Sequence, residues 1–347
     1  MAHSSNSPLV SVVILNYNTV ELLEKLLPFV EKTVYGNFEI VVADNDSSDG
    51  SLEWVRKNYP KVKCIQLHTN LGFAGGYNEA LRQLKSEYWV LLNSDVEVTE
   101  NWLQPMVDLM LSSPDIAAVQ PKMLDYQNRT LYEYAGASGG YVDQWGYPLC
   151  RGRIFDSLEV DNGQYNDQRQ VFWATGAAML VRAEQYNLVG GMDDDFFAHM
   201  EEIDLCWRLQ NAGFQVWVCP TAEVYHMGGG TLSALSVRKT FLNFRNNLAL
   251  LTKNLPVKSL ISKLVMRLIL DGIAGVKYVL DFKFNHCWAI VRAHWAFYLK
   301  FGKWWSKRDE QPNRKKPRDL IGWMPLSAVW QFFVKGIKTF SELEKRA

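Results

Sequence analysis

Three carboxylates, Glu201, Glu202 and Asp204, fall within one turn of the segment MEEIDLCWRL. Neighbouring carboxylates raise one another's pKa, and inside a cleft such a group serves as a general base. The same trio at an exposed helix start would only complement the helix dipole, but the apolar flanks FFAHM and LCWRL argue against simple solvation. A second acidic tip, LLNSDVEV, projects Asp95 and Glu97 beyond an apolar run. Hard oxygen ligands of this kind hold Mg2+ or Mn2+ beside a diphosphate, and they also cap helices. His226, in EVYHMGGGT, is either a metal ligand or a structural histidine. In DNDSSDG, residues Asp44, Asn45, Asp46 and Asp49 suit the base or ribose of a nucleotide, or a solvated Asx-turn. In NLGFAGGYN, residues Asn70, Gly72, Phe73, Gly75, Gly76 and Asn78 let backbone approach a ligand closely, with a helix N-terminus expected at Asn78 to receive phosphate.

The elements that must carry these groups are legible as a repeat of strand and helix. Val10–Leu15 reads as a strand, and Asn18 with Glu21 forms a near capping box opening a helix to about Tyr35. Strands at 39–43, 62–67 and 88–92 follow, separated by helices through Trp54 and Val55 and over 79–84. Four apolar strands, each ending in a polar loop, call for an α/β fold with a doubly wound, mostly parallel sheet and a ligand at the strands' carboxyl ends. From about Asn101 the pattern becomes mixed: a helix to Met110, a strand near 117–120, loops or a hairpin over 132–153, an apolar strand over 171–181, a helix after Met200 and a strand at 215–219. Beyond Thr231 the chain reads as mainly helical.

The 347 residues hold 37 basic and 37 acidic side chains, but the balance is a cancellation between two regions. Residues 1–255 carry 19 basic and 30 acidic groups, whereas residues 256–347 carry 18 and 7, together with 15 of the 45 aromatics and six tryptophans. This divides the chain into a body, 1–255, with halves at about 9–115 and 116–255, and a basic, aromatic-rich helical extension, 256–347. Such a tail is expected to meet an anionic membrane surface or, failing that, to pack on the body or a second subunit. Its longest uncharged run, 320–334, spans 15 residues and contains Pro325, short of the roughly 18 apolar residues of a spanning helix. Five widely spaced cysteines without CxxC argue for reduced thiols, and the N-terminal apolar run is a strand's length rather than a signal peptide's. Nothing implies a nucleic-acid partner.

The segments VSVVILNYN, VVADNDSSDGS, NLGFAGGYN, LLNSDV, WATGAAMLVR, FFAHMEEIDLCWRLQNAGF and YHMGGGT, in this order over residues 9–250, closely resemble the family 2 inverting glycosyltransferases of GT-A fold, in particular the rhamnosyltransferase-like branch. The resemblance implies that Asn16, Tyr17, Asp44 and Asn45 form the nucleoside pocket and that 70–78, with Gly72, Phe73, Gly76 and Asn78, is the nucleotide-contacting loop. It implies that Asp95 is the last acid of the DxD metal motif, with Asn93 at its first position, and that His226 is a metal ligand for Mg2+ or Mn2+. Gly176 and Ala177 match the turn against the donor sugar, and Arg245 with Asn246 matches a basic pair near the diphosphate. Glu201 and Glu202 match an acidic pair whose second member is the catalytic base, Glu202 standing where Asp is usual. The expected reaction is inverting transfer of a sugar from a nucleotide-diphospho-sugar (dTDP-rhamnose-like, or a UDP-sugar) to a glycan hydroxyl, lipid-linked, at the cytoplasmic face of the membrane.

Two other classes are discriminated by the residues. A nicotinamide-dependent dehydrogenase would place GxGxxG after the first strand, where the sequence reads LNYNTVELL. A non-catalytic nucleotide-sugar or polysaccharide-binding module would not need acids both at 95–97 and at 201–204.

Overall fold

The computed structural model describes residues 7–228, 236–309 and 313–347. Gly229, Gly230 and Thr231 of the YHMGGGT segment lie outside the described residues. The first half alternates β1 (Val10–Asn16), α1 (Val20–Glu31), β2 (Phe38–Asn45), α2 (Ser51–Asn58), β3 (Lys63–Leu67), α3 (Gly72–Leu81) and β4 (Tyr88–Asn93). There follow β5 (Val96–Val98), α4 (Leu103–Ser112), β6 (Ile116–Asp125), four short strands β7 (Gly140–Asp143), β8 (Pro148–Cys150), β9 (Arg153–Ile154) and β10 (Ser157–Leu158), then β11 (Arg169–Gln170) and β12 (Ala178–Arg182). The chain continues through α5 (Ala183–Leu188), α6 (Glu201–Asn211), β13 (Gln215–His226), α7 (Val237–Asn254), α8 (Val257–Leu280), α9 (Phe284–Leu299), α10 (Phe301–Ser306), β14 (Trp323–Met324) and α11 (Phe340–Glu344).

The main sheet has nine strands in the order β11-β13-β6-β12-β4-β1-β2-β3, with β5 paired to β13. Strands β1 and β4 are buried on both faces, as parallel strands under helices must be, and so read as unbroken apolar runs. At the edge, β3 exposes Lys63 and Gln66 while burying Ile65 and Leu67. Because β1 lies between β2 and β4, its parallel neighbours, successive connections depart to opposite sides and a crevice opens at the carboxyl ends. Strand β12 runs antiparallel to β4 and β6 and extends the sheet into the second half.

Three expectations are corrected. The first helix starts at Val20 and stops at Glu31, without a side-chain cap; Asn18 is left-handed (φ 53°), and its carboxamide oxygen accepts instead from the Ser48 amide at 2.7 Å. The glycine stretch is not a loop before a helix at Asn78: α3 already begins at Gly72. Its glycines are needed for close contact, since a Cβ at Gly76 would lie 2.9 Å from the Leu15 side chain. Of the single strand expected over 171–181 only 178–181 is strand, in β12; residues 171–177 cross over from β11, fixed where the Trp173 ring lies against Gly140 and the Thr175 amide donates to Gln120 Oε1 at 3.0 Å. The region beyond Pro256 packs in part on the body, one of the placements expected for it. Strand β14 joins the small sheet parallel to β7. Trp304 is 1% exposed and lies 5.9 Å from Phe196 between ring centroids. Phe332 packs on Phe155, and Phe340 on Tyr141 and Tyr165. No described helix is long and apolar enough to cross a membrane, and all five cysteines are free.

Candidate active site

The crevice beyond β1 and β4 widens into a cavity of about 1530 Å³. From the strand ends and the α3 start come Tyr17, Asn45, Asn70, Gly72, Phe73 and Asn93. Asp95 and His226 stand at the β4–β5 turn and the end of β13, while Gly176, Ala177, Glu201 and Glu202 arrive from the second half. Residues as far apart in sequence as Tyr17 and His226 thus share one concave surface, the usual form of a small-molecule site.

Asn16 and Asp44 do not line this cavity. Asn16 Nδ2 donates to Asp44 Oδ1 at 2.9 Å and to Ser47 Oγ at 3.0 Å, and the Ser47 amide donates to Asp44 Oδ2 at 3.0 Å, so the buried pair shapes the DNDSSDG loop. Asn45 ties two loops together: its Nδ2 donates to Asn70 Oδ1 (3.2 Å) and Gly72 O (3.0 Å), and its Oδ1 accepts from the Leu71 amide. Asn78, within α3, turns away and donates to Met192 O at 2.7 Å and Asp194 Oδ1 at 2.6 Å. Gly76 is likewise absent from the lining, packed under Leu15.

His226 sits between two carboxylates, Nε2 being 3.1 Å from Asp95 Oδ1 and Nδ1 3.1 Å from Glu133 Oε1. Burial alone would lower its pKa, but Glu133 and Asp95 outweigh that and hold it well above the usual imidazole value. Two buried carboxylates around one imidazole make a spot that demands positive charge. A carboxylate and an imidazole of this kind match the ligand set of Mn2+ or Mg2+ completed by phosphate oxygens. Among the described residues, no three His, Cys, Asp or Glu side chains are arranged to hold an ion by themselves. Glu97 does not join Asp95: it lies on β5 and is paired with Arg129 at 2.9 Å.

Glu201 and Glu202 open α6, behind a loop of unusual backbone. Phe197, His199 and Met200 all have positive φ (66°, 69° and 74°), which side-chain-bearing residues adopt only under constraint. The constraint comes from α7. Asn246 Nδ2 faces the carbonyls of Phe196, Ala198 and His199 at 3.0, 2.9 and 2.7 Å, and Arg245 donates to the carbonyls of Asp195 and Phe196. Arg245 and Asn246 therefore hold this loop and do not face the cavity. The loop's other anchor is the α3 start, where the Phe73 amide donates to Phe197 O at 2.7 Å and the Phe197 ring covers Gly72, leaving no room for a Cβ.

Glu201 is buried, whereas Glu202 keeps partial exposure toward the cavity. Burial raises both carboxyls above the usual range, Glu202 to about 7; for Glu201 the neighbouring Glu202 adds to the effect. Each has an Oε2 atom without a hydrogen-bond partner among the described residues. Gly176 passes between Phe73 and Glu202, a Cβ there falling 3.0 Å from the Phe73 ring and 3.6 Å from Glu202 Cβ. Asp204 stands apart from this pair. It is fully buried and accepts from Arg208 Nε at 2.7 Å, Lys253 Nζ at 2.8 Å and Asn254 Nδ2 at 2.8 Å, which keeps its carboxyl ionised despite burial.

Several cavity residues carried no local signal in the sequence. Arg153, stacked on Tyr134, and Arg238 and Lys239 at the start of α7 bring cations to the wall opposite in charge to Asp95 and Glu202. Glu133, which fixes His226, reaches it from the segment between β6 and β7. An arginine in a short strand, and an arginine and a lysine in an ordinary helix, declare nothing until those elements meet.

The sequence profile described as glycosyl transferase family 2 matches residues 11–183. An N-acetylglucosaminyl-diphospho-decaprenol L-rhamnosyltransferase of Mycobacterium tuberculosis is 27% identical over 231 residues, covering 62% of this chain and 75% of its own. Among solved structures, GalNAc-T7 with UDP, GalNAc and Mn2+ aligns with a TM-score of 0.58 at 16% identity, over 74% of this chain and 49% of that one, so this chain spans about half its length. A mannosyltransferase from Pyrobaculum calidifontis in complex with GDP-Man and Mn2+ aligns with a TM-score of 0.50 at 15% identity, over 89% and 86% of the two chains. Both likenesses concern the fold, the GT-A arrangement of a mixed sheet with its crevice at the strand ends. With its ordered motifs on that sheet, the chain belongs to glycosyl transferase family 2.

Proposed function

We propose that this glycosyltransferase inverts the anomeric centre as it moves a sugar from a nucleotide-diphospho-sugar, of the dTDP-rhamnose or UDP-sugar kind, to a hydroxyl of a lipid-linked glycan. The observation that carries this reading is that one cavity holds both the raised-pKa Glu201–Glu202 pair and the Asp95–His226 pair. In it, Glu202 accepts the proton of the acceptor hydroxyl while that oxygen attacks the anomeric carbon. The bond from that carbon to the diphosphate oxygen breaks on the opposite face, and the nucleoside diphosphate leaves with its electron pair. Gly176 and Ala177 line the space beside Glu202, where the donor sugar fits, and Asn45 and Asn70 border the nucleoside end. Arg153, Arg238 and Lys239 supply positive charge for the diphosphate. Asp95 and His226 would hold Mg2+ or Mn2+, which when bound supplies Lewis-acid neutralisation of charge on the leaving diphosphate.

The lipid-linked acceptor and the rhamnose-like donor are supported by the name of the Mycobacterium relative. The divalent cation is supported by the Mn2+ in the two solved structures. The setting proposed is surface-polysaccharide synthesis at the cytoplasmic face of the cell membrane. A screen of the full chain against nucleotide sugars, scored by nucleoside-diphosphate release with and without Mn2+, tests the reading. Release from one donor and its loss in Glu202→Gln, with donor binding retained, is expected. Turnover by Glu202→Gln at the wild-type rate overturns the assignment of the base.

A further inference from the structure

Helix α8 is amphipathic in the wrong sense for water. Its inward side carries Arg267, 2.7 Å from Asp271, and Asp271 in turn meets His294 of α9 at 3.0 Å, all buried. Its outward side repeats large aliphatics every three or four residues: Ile261 (70% exposed), Val265, Leu268, Ile269, Ile273 and Val276. Water selects the opposite arrangement, in which a helix hides its apolar stripe. Helix α9 packs back along α8, Tyr278 stacking on His286, and it too turns a stripe outward with Phe284, Trp288 and Trp295 (68% exposed). The stripes meet at the hairpin tip, where Phe282 is 82% exposed and its ring centroid lies 6.4 Å from that of Phe284.

The charges around these stripes are almost all positive. Residues 256–300 contain seven basic groups and two acidic ones, and both acids are engaged, Asp271 by Arg267 and Asp281 by Lys277 at 2.7 Å. Lys258, Lys283, Arg292 and Lys300 remain exposed beside the apolar residues. Aliphatic side chains with tryptophans and a cationic rim match a bilayer surface with anionic headgroups. Ile273 is at once an exposed stripe residue and part of the cavity that holds Glu202, which continues between α8 and Leu326–Val334 along Met266, Leu270, Trp330 and Phe333. The apolar end of the active-site cavity therefore opens beside the outward face of α8.

We propose that the α8–α9 hairpin seats this protein on an anionic lipid surface through its outward aliphatic stripe, so that the cavity mouth meets the hydrocarbon boundary. The seating stands without the proposed reaction; only delivery of a lipid-linked acceptor into the apolar end rests on that reading. The test is co-sedimentation of the full chain with phosphatidylcholine vesicles, with and without phosphatidylglycerol. Comparison is with an Ile261→Glu, Ile269→Glu double variant, whose positions are exposed and tolerate charge in water. Wild type is expected to sediment with the anionic vesicles, more weakly with neutral ones, and the variant to partition about tenfold less or lower still at an unchanged unfolding midpoint. Should that variant unfold, Trp288→Ser with Trp295→Ser on the α9 stripe carries the same expectation. Absence of wild-type sedimentation, undiminished binding by the variants, or a dimer that the variants dissolve in place of vesicle binding each overturns the proposal. Failure of the enzymatic reading would show separately, as no nucleoside-diphosphate release from any donor with vesicle binding intact.

Discussion

At Glu202 a single side chain combines burial with partial access to the cavity, and that combination sets how activity must respond to pH. A base works only when deprotonated, and burial moves its pKa to about 7. Transfer kcat/KM is expected to fall as pH drops through neutrality, approaching about tenfold per pH unit on the acid side, as one apparent titration of the Glu201–Glu202 pair. Glu202→Gln should lower kcat by about 10²–10⁴ and abolish that acid limb. The folded-state pKa lies above the unfolded one, so native protein holds a proton that the unfolded chain has lost and stability declines as pH rises toward 7. The Gln variant, carrying no charge to bury, should melt at or above the wild-type midpoint at pH 8 by calorimetry; a lower midpoint would show instead that the carboxylate is structurally required. Asp95→Ala and His226→Ala are each expected to raise half-saturating Mn2+ in the release assay by about tenfold or more. Full activity of the wild type in chelator contradicts this.

The element that presents the acids is a strained loop, and its strain is carried by α7. Three carbonyl contacts from Asn246, at Phe196, Ala198 and His199, keep this segment in place just before Glu201. Removing a side chain that satisfies buried carbonyls costs about 1–3 kcal/mol. Asn246→Ala should lose that much in urea unfolding, and kcat should fall while the donor KM changes little, because the proposed nucleoside end at Asn45 and Asn70 is built by separate contacts. A variant with wild-type kcat at reduced stability would show that the loop holds its shape without α7.

Across the whole molecule, the region beyond Pro256 packs partly on the body and partly turns apolar stripes outward. Lys303 and Lys307 reach Asp195, and Lys253 and Lys307 reach Asp193, so α7 and the end of α10 together clamp the turn that leads into the loop before Glu201. Trp304, inside this junction, is expected to cost about 3–5 kcal/mol in chemical unfolding when replaced by Ala. Vesicle binding per folded molecule should stay the same, since the ring is 1% exposed. Reduced vesicle binding with unchanged stability would reverse that division of labour between α10 and the α8–α9 hairpin.

The sequence by itself determined the first four strands, their polar tips and the acids, because apolar runs ending in Asn, Asp and Gly are local features with local physical causes. It identified Asp95, Glu201, Glu202 and His226 as chemistry-bearing types, and these four do share a cavity. Motif position also suggested Asn78, Asp204 and Glu97, and the family resemblance suggested Arg245 and Asn246; tertiary structure turned each toward another partner. Helical periodicity decides this: a shift of a few residues along α3, α6 or α7 rotates a side chain from the cavity to the far face. The start of α3 at Gly72 was hidden because glycine disfavours helix interiors, and only the approach of Leu15 and Phe197 makes its small size necessary. Net charge and tryptophan count showed that residues 256–347 were unusual, but not that Trp304 belongs to the interior and Trp323 packs half-buried against it while Trp288 and Trp295 face outward. That choice depends on which faces β14, α10 and the α8–α9 hairpin present to the body, a property of packed elements rather than of composition.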